Sequence, residues 1–302
     1  MKIRFSAEVE SSLAAGMPVL ALESTIITHG MPHPDNIEFA LEAESNCRQQ
    51  GVVPAIIAIV KGECCVGLEK AQIEFIGKDV STKKVSRREL GVAISKNWSG
   101  GTTVSATMHI AHQSGISVFS TGGIGGVHRG AKKTFDVSQD LIALSQIPMV
   151  VVSAGAKAIL DLPKTLEALE TLGVPVLGFK TNEFPAFYSQ KSGLCGLLRI
   201  ENPGEAARVY RKNMEAGLTA STLVVNPVPE KNEIPDNEIK KIINDAINGA
   251  IENKIKGKDL TPFLLKEILK KTSGRSLETN KALAINNVSL GIKISKELSS
   301  SS

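Results

Sequence analysis

Apolar residues along this 302-residue chain fall into short blocks separated by stretches of helical period. Residues 18–27 (Pro-Val-Leu-Ala-Leu-Glu-Ser-Thr-Ile-Ile), 55–60, 64–67, 116–119, 149–152, 174–179 and 222–225 are apolar without alternation. That is the pattern of strands covered on both faces of a sheet. Helices are expected up to Gly51, around Leu68–Phe75, after the capping box Ser86-Arg-Arg-Glu89, and from Gly100–Met108 to Gly115 with Thr102 or Thr103 as N-cap. Further helices are expected through Leu144, over Lys164–Leu172 and over about 204–216. The C-terminal part reads as mostly helical: 236–255, 262–272 with Thr261-Pro262 as cap and first turn, and 277–298. Strands alternating with helices define an α/β layered fold with a largely parallel central sheet.

The densest break in this pattern is Ser120–Asp140, where an apolar strand runs into a loop holding Gly122, Gly123, Gly125, Gly126 and Gly130. Glycines so close together permit positive φ and unshielded N–H groups, which suit an anion cradle; a plain surface loop is the alternative. No standard phosphate motif is present: counted from Gly125, Ala131 stands where a Walker lysine belongs, and His128 takes the last glycine place of a dinucleotide motif. Asp136 and Asp140 follow, and Asp136-Val-Ser-Gln139 reads equally as a capping box with Asp136 as N-cap.

Two residues break local rules. Glu23 lies inside an apolar strand, where a carboxylate is costly unless paired or protonated. Lys157 follows the strand 149–152 where a helix at Ala158-Ile-Leu160 is expected, the wrong charge for a helix N-terminus. Its apolar neighbours favour the neutral amine that a lysine nucleophile needs. Lys84, before the Ser86 cap, either reaches a phosphate or is a solvated lysine. His109 and His112, one turn apart, fit helix packing better than a metal site. The loop Thr181–Tyr188 concentrates three aromatics, as a lid, a packing loop or a subunit contact.

Hydrophobic content of 42% and charged content of 22% suit a globular enzyme, and a net charge of +4 spread along the chain leaves no nucleic-acid footprint. No apolar run approaches the roughly 18 residues that span a bilayer, and the N-terminus lacks a signal-peptide core. Four cysteines without a C-x-x-C pair fit a reducing, cytoplasmic setting, with adjacent Cys64 and Cys65 as strand residues.

Several motifs, taken in order, carry a resemblance. They are Ala21-Leu-Glu-Ser-Thr-Ile-Ile-Thr-His-Gly-Met-Pro32, Gly101-Thr-Thr-Val-Ser-Ala-Thr-Met108, Ser120-Thr-Gly-Gly-Ile-Gly-Gly-Val-His128, Asp136-Val-Ser-Gln-Asp-Leu141 and Ser153-Ala-Gly-Ala-Lys-Ala-Ile-Leu-Asp161. Asn182–Phe187, Asn226–Glu230 and Thr261–Leu265 complete them. The series resembles the pseudouridine-5′-phosphate glycosidase family, also described as indigoidine synthase A-like, over residues of about 15–298 in a single domain. Ser153 stands where a cysteine is common, and Ala158 where a serine is.

The resemblance implies an α/β/α sandwich, a homotrimer, and reversible cleavage of pseudouridine 5′-phosphate to uracil and ribose 5-phosphate with a divalent metal, most often Mn²⁺. It implies Glu23 as proton donor, Lys157 as nucleophile and Asp136 as metal ligand through a largely water-filled shell. It further implies substrate contacts from Lys84, the Val104 backbone and Ser138, Gln139 and Asp140, with His128 and Asn280 toward uracil. A phosphoryl-transfer enzyme using the glycine loop, or a non-catalytic nucleotide-binding module, are the competing classes.

Overall fold

The structure is a computed structural model that describes residues 2–255 and 260–300. In chain order its elements are β1 (Ile3–Phe5), α1 (Ala7–Ala14), β2 (Val19–Leu22), α2 (Asp35–Gln49), β3 (Val53–Val60), β4 (Glu63–Val66), α3 (Lys70–Lys78), β5 (Lys83–Val85), α4 (Leu90–Ser95), β6 (Gly100–Thr102) and α5 (Val104–Gln113). There follow β7 (Val118–Ser120), α6 (Ala131–Thr134), α7 (Gln139–Gln146), β8 (Val150–Ser153), α8 (Leu162–Thr171), β9 (Val176–Phe179), β10 (Leu198–Ile200), α9 (Pro203–Glu215), β11 (Thr222–Val225), α10 (Asp236–Glu252), α11 (Leu260–Lys271) and α12 (Arg275–Ser299).

The strands join in the order β1-β4-β3-β2-β7-β8-β11-β9-β10, with β6 beside β3 and β5 beside β6. From β3 to β10 every pairing along this path is parallel. Only β4 and β6 run antiparallel to β3. Alternate residues of one strand enter different cores. Leu20, Leu22, Ile56, Val150, Val152 and Val224 face a core roofed by α2, α9 and α12. Ala21, Ala55, Ile57, Val151, Leu223 and Val225 face the core under α5, α7 and α8. Both sheet faces are therefore apolar, which is why the strands read as unbroken hydrophobic runs. The α/β/α layering and the helical C-terminal part are as the sequence implies.

Several boundaries differ from the sequence reading, each for a visible reason. The strand expected over 18–27 stops at Leu22, and Ile26–Gly30 forms a single π-helical turn. Ser24 drives the change: its carbonyl accepts from the Ile27 and Thr28 N–H groups, while its hydroxyl donates to Ile57 O at 2.6 Å. Gly100–Thr102 is a strand rather than the first turn of a helix, and α5 starts after Thr103. Thr102 Oγ1 also donates to Ile57 O at 2.6 Å, so two hydroxyls satisfy one carbonyl where β3 leaves β2 and turns toward β6. The N-cap of α7 is Ser138, whose hydroxyl accepts from Asp140 N–H at 3.2 Å; Asp136 lies outside the helix. No helix begins at Ala158. Leu160 N–H closes a turn on Lys157 O, and α8 starts at Leu162 behind its cap Asp161. β1, α1 and β10 are too short to show a period and escaped the sequence reading.

The glycine loop also departs from expectation. Of its glycines only Gly130 has positive φ, at 80°. Gly123, Gly125 and Gly126 are glycines because neighbours leave no room for a side chain, whereas a Cβ on Gly122 would make only ordinary contacts. A Cβ on Gly123 would lie 2.6 Å from the Phe187 ring, and one on Gly126 would collide with Thr165. One on Gly125 would lie 2.7 Å from Asp140 Oδ2 and strike the Ser138 hydroxyl. Four of the loop N–H groups are occupied as well: Ile124 donates to Gly155 O, Gly125 to Asp140 Oδ2, Val127 to Thr165 Oγ1 and His128 to Asp136 O. From Gly123 to Gly126 this segment is a packed wall. Gly125→Ala is therefore expected to cost about 1–3 kcal/mol through overpacking. Gly130→Asn, in open space at an αL position, should leave stability nearly unchanged. Urea unfolding of the two variants checks the contrast.

Candidate active site

β2 connects to β3 on one side of the sheet and β7 connects to β8 on the other, so the loops leaving β2 and β7 diverge. Such a switch point opens a crevice at the carboxyl ends of parallel strands. Glu23 follows β2, Thr121 follows β7, and the Thr121 hydroxyl donates across the crevice to Glu23 Oε1. The cleft above them is lined by Glu23, His29, Lys84, Lys157 and Asn280 among its polar side chains. Apolar walls come from Ile26, Phe187, Pro262 and Leu265, the last two on α11.

Four of the expected site residues thus converge from β2, β5, β8 and α12: Glu23, Lys84, Lys157 and Asn280. Glu23 is 7% exposed. Burial pushes its carboxyl above the ordinary range; Lys157 and the Thr121 hydroxyl act against this, Asp140 adds to it, and Lys84 opposes it. Lys157 is half-buried on the turn that follows β8.

The remaining expected residues surround this cleft. Asp140 is buried with both carboxylate oxygens engaged: Oδ1 accepts from Ser105 N–H at 3.0 Å and Oδ2 from Gly125 N–H at 2.9 Å. It clasps the first turn of α5, which Val104 opens, to the glycine loop. Gln139 Oε1 accepts from Arg88 N–H at 3.0 Å and from the Ser86 hydroxyl at 3.3 Å, holding the segment that follows Lys84 and β5. His128 Nδ1 is 3.9 Å from Asp136 Oδ2. Burial depresses the His128 imidazole, against the pull of Asp136, and Lys84 and Lys157 depress it further, so these cations lie within electrostatic reach.

Among the described residues no three His, Cys, Asp or Glu side chains come together as a ligand set. Asp136, with its side chain 40% exposed, is a single hard oxygen donor. Such a donor fits a cation that keeps most of its water, as Mg²⁺-like ions do, and does not fit a site built on histidine or cysteine. His109 is half-buried on α5 while His112, one turn on, is exposed, and Cys64 and Cys65 are buried, unpaired strand residues.

Sequence reasoning missed His29, Thr121 and Asn287. His29 sits in the cleft with Nδ1 2.7 Å from the Thr28 hydroxyl, and burial and Lys84 lower its basicity. Its signal was the histidine next to Gly30 after a buried strand. The aromatic loop 181–188 proves to be a packing loop: Phe184, Phe187 and Tyr188 are buried, and Phe187 covers Gly123.

An open α/β sheet with a buried acid and a lysine at its switch point is the class this geometry defines. The chain matches the family described as indigoidine synthase A like protein over residues 8–297. It is 51% identical over 296 residues to the pseudouridine-5′-phosphate glycosidase of Caldanaerobacter subterraneus, covering 98% of this chain and 96% of the relative. With the enzyme of that name from Solibacter usitatus it shares 48% identity over 298 residues, 99% of this chain and 100% of the relative. The crystal structure of an indigoidine synthase A-like protein from Thermotoga maritima superposes with a TM-score of 0.90 at 40% identity, covering 98% and 96% of the two chains. The prealnumycin C-glycosynthase AlnA, crystallised with ribulose 5-phosphate, superposes with a TM-score of 0.91 at 33% identity, covering 99% and 97%. The chain belongs to the indigoidine synthase A-like family.

The burial of Glu23 predicts a pH signature. Its folded-state pKa lies above the unfolded value near 4.5, so between the two the unfolded chain releases a proton that the folded chain keeps. Stability then falls as pH rises through this window and levels off above the folded pKa. Glu23→Gln should remove that fall and be more stable than the parent above the window. Urea unfolding at several pH values checks it; parallel stability curves would refute it.

Proposed function

We propose that this protein is an enzyme that cleaves the C–C glycosidic bond of pseudouridine 5′-phosphate reversibly, yielding uracil and ribose 5-phosphate. The observation that carries the reading is a buried carboxyl, held toward its protonated form, in one cleft with Lys157 and Lys84. The names of the relatives and the sugar phosphate bound to AlnA point the same way.

A C-glycoside has no leaving oxygen to protonate, so a pair of carboxylates in the usual glycosidase manner does not suffice. In the proposed route Glu23 gives its proton to the ribose ring oxygen as the C1′–O4′ bond breaks, and the Lys157 amine bonds to C1′. A proton then adds to the uracil carbon. The C1′–C5 electron pair returns to the uracil ring while the nitrogen lone pair forms C1′=N. Water hydrolyses this imine to ribose 5-phosphate and regenerates the amine. An acid and an amine are both required, which explains why one is buried and the other stands on the rim.

Lys84 supplies positive charge for the phosphate. Asn280, with His128 behind the glycine wall, is assigned to the uracil side. The Val104 backbone and Ser138, Gln139 and Asp140 are assigned to substrate contact, with Asp140 also fixing the wall. Asp136 is the residue that would hold a divalent cation such as Mn²⁺, which when bound supplies charge compensation for an anionic substrate. Operation as a cytoplasmic homotrimer belongs to the same reading and rests on the family resemblance.

Uracil release from pseudouridine 5′-phosphate, followed by chromatography, is the first test. Borohydride added with ribose 5-phosphate should trap a ribitol-phosphate adduct on Lys157, found by intact mass and peptide mapping. Lys157→Arg keeps the charge but cannot attack, so it should give neither adduct nor turnover. An active enzyme whose Lys157 stays unlabelled would sink the covalent route. Asp136→Ala should lose most activity with an unchanged melting temperature, and should leave more Mn²⁺ visible as the free ion by electron paramagnetic resonance. Full turnover of that variant in metal-depleted buffer would remove Asp136 from the metal role.

A further inference from the structure

Glu23 is the proton donor of the proposed reaction, but nothing so far says which of its oxygens carries the proton. The environment of Thr121 answers this. Its hydroxyl donates to Glu23 Oε1, and the residue is 4% exposed. The Thr121 backbone is fixed on two sides. Its N–H donates to Val152 O of β8 at 3.0 Å, and its carbonyl accepts from Asn287 Nδ2 at 2.9 Å. Asn287, wholly buried on α12, reaches Gly122 O at 3.3 Å with the same amide nitrogen. Its own carbonyl accepts from Asn226 Nδ2 at 3.1 Å, and Asn226 N–H donates to Ser153 O at 2.8 Å. The chain of contacts leaves Asn287 one orientation, because two carbonyls face its nitrogen and an amide N–H faces its oxygen.

We infer that Thr121, locked by Asn287 and Asn226, is a positioning residue that reserves Glu23 Oε1 as an acceptor and thereby places the acidic proton on Oε2. The inference rests on the reading of Glu23 as acid. A carboxylic acid has one proton, and an oxygen already accepting a hydroxyl hydrogen is the poorer place for it. Without the hydroxyl either oxygen can carry the proton and the carboxyl can rotate, so a share of the molecules present the wrong atom. The groups that set the charge around Glu23 are Lys157 after β8, Lys84 on β5 and Asp140 on α7, with His29 on the turn after β2 in the same cleft.

Thr121→Val keeps the shape and removes the donor; Thr121→Ser keeps the donor. Loss of a hydrogen bond to an ionisable group should lower kcat by about 10- to 100-fold with KM little changed. The hydroxyl favours the ionised carboxylate, so its removal raises the pKa of Glu23. The active form is the protonated one, hence the alkaline limb of kcat should move to higher pH in Thr121→Val and stay in place in Thr121→Ser. A reading free of turnover comes from infrared spectroscopy: the carbonyl stretch of protonated Glu23, identified by its loss in Glu23→Gln, should shift to higher wavenumber and persist to higher pH in Thr121→Val only. An unshifted band and an unmoved limb in Thr121→Val would overturn the inference. So would a shift of the same size in Thr121→Ser. If the parent releases no uracil but the band behaves as expected, the reaction assignment fails while the positioning of the Glu23 proton by Thr121 stands.

Discussion

A carboxyl group kept out of water between the ends of β2 and β7 is the constraint on which the site depends. Ionised and unpaired in an apolar layer it would cost several kcal/mol, so the fold holds it toward the neutral form and gives it one hydroxyl donor. The parallel sheet makes such a place available. The connections leaving β2 and β7 diverge there, so a side chain can lie at the bottom of the crevice between them. Lys157 enters from the next strand end but one, close enough to act on Glu23 and still half-exposed. Acid and amine are thereby separated in environment while sharing one cleft.

The glycine loop serves this arrangement by packing. Three glycines let Phe187, Thr165 and the Ser138–Asp140 turn come against the backbone, and the Gly125 and Val127 N–H groups donate to Asp140 and Thr165 in doing so. Asp140 ties the loop to α5, and Gln139 ties the following turn to the segment carrying Arg88. The result is a rigid wall beside Lys157 and Lys84.

The C-terminal helices complete the cleft from the far end of the sequence. α12 brings Asn280 to its rim and Asn287 beneath it, and α11 supplies Pro262 and Leu265 as apolar cover. A site assembled from β2, β5, β8 and α12 holds its groups on elements that the two cores fix, and little of it depends on a free loop. Fixed placement is what acid and covalent catalysis demand, since both need groups within hydrogen-bonding or bonding reach.

The layered α/β class, most strand centres and the C-terminal helices were legible in the sequence, because sheet burial on both faces leaves continuous apolar runs and helices leave a 3.6 period. Glu23 and Lys157 were legible as charges standing where local rules forbid them. The argument from a helix start at Lys157 was nevertheless mistaken, since that segment is a turn. Three further features belong to the tertiary structure alone. Gly123, Gly125 and Gly126 are required by side chains that lie 13–64 positions further along, and no local pattern records that. Asp136 lost the cap to Ser138 because its segment pairs with Val127 in an isolated bridge. Thr121 and Asn287 carry no motif of their own. They matter through a hydrogen bond 98 residues back to Glu23 and another 166 residues forward to α12, distances that only folding closes.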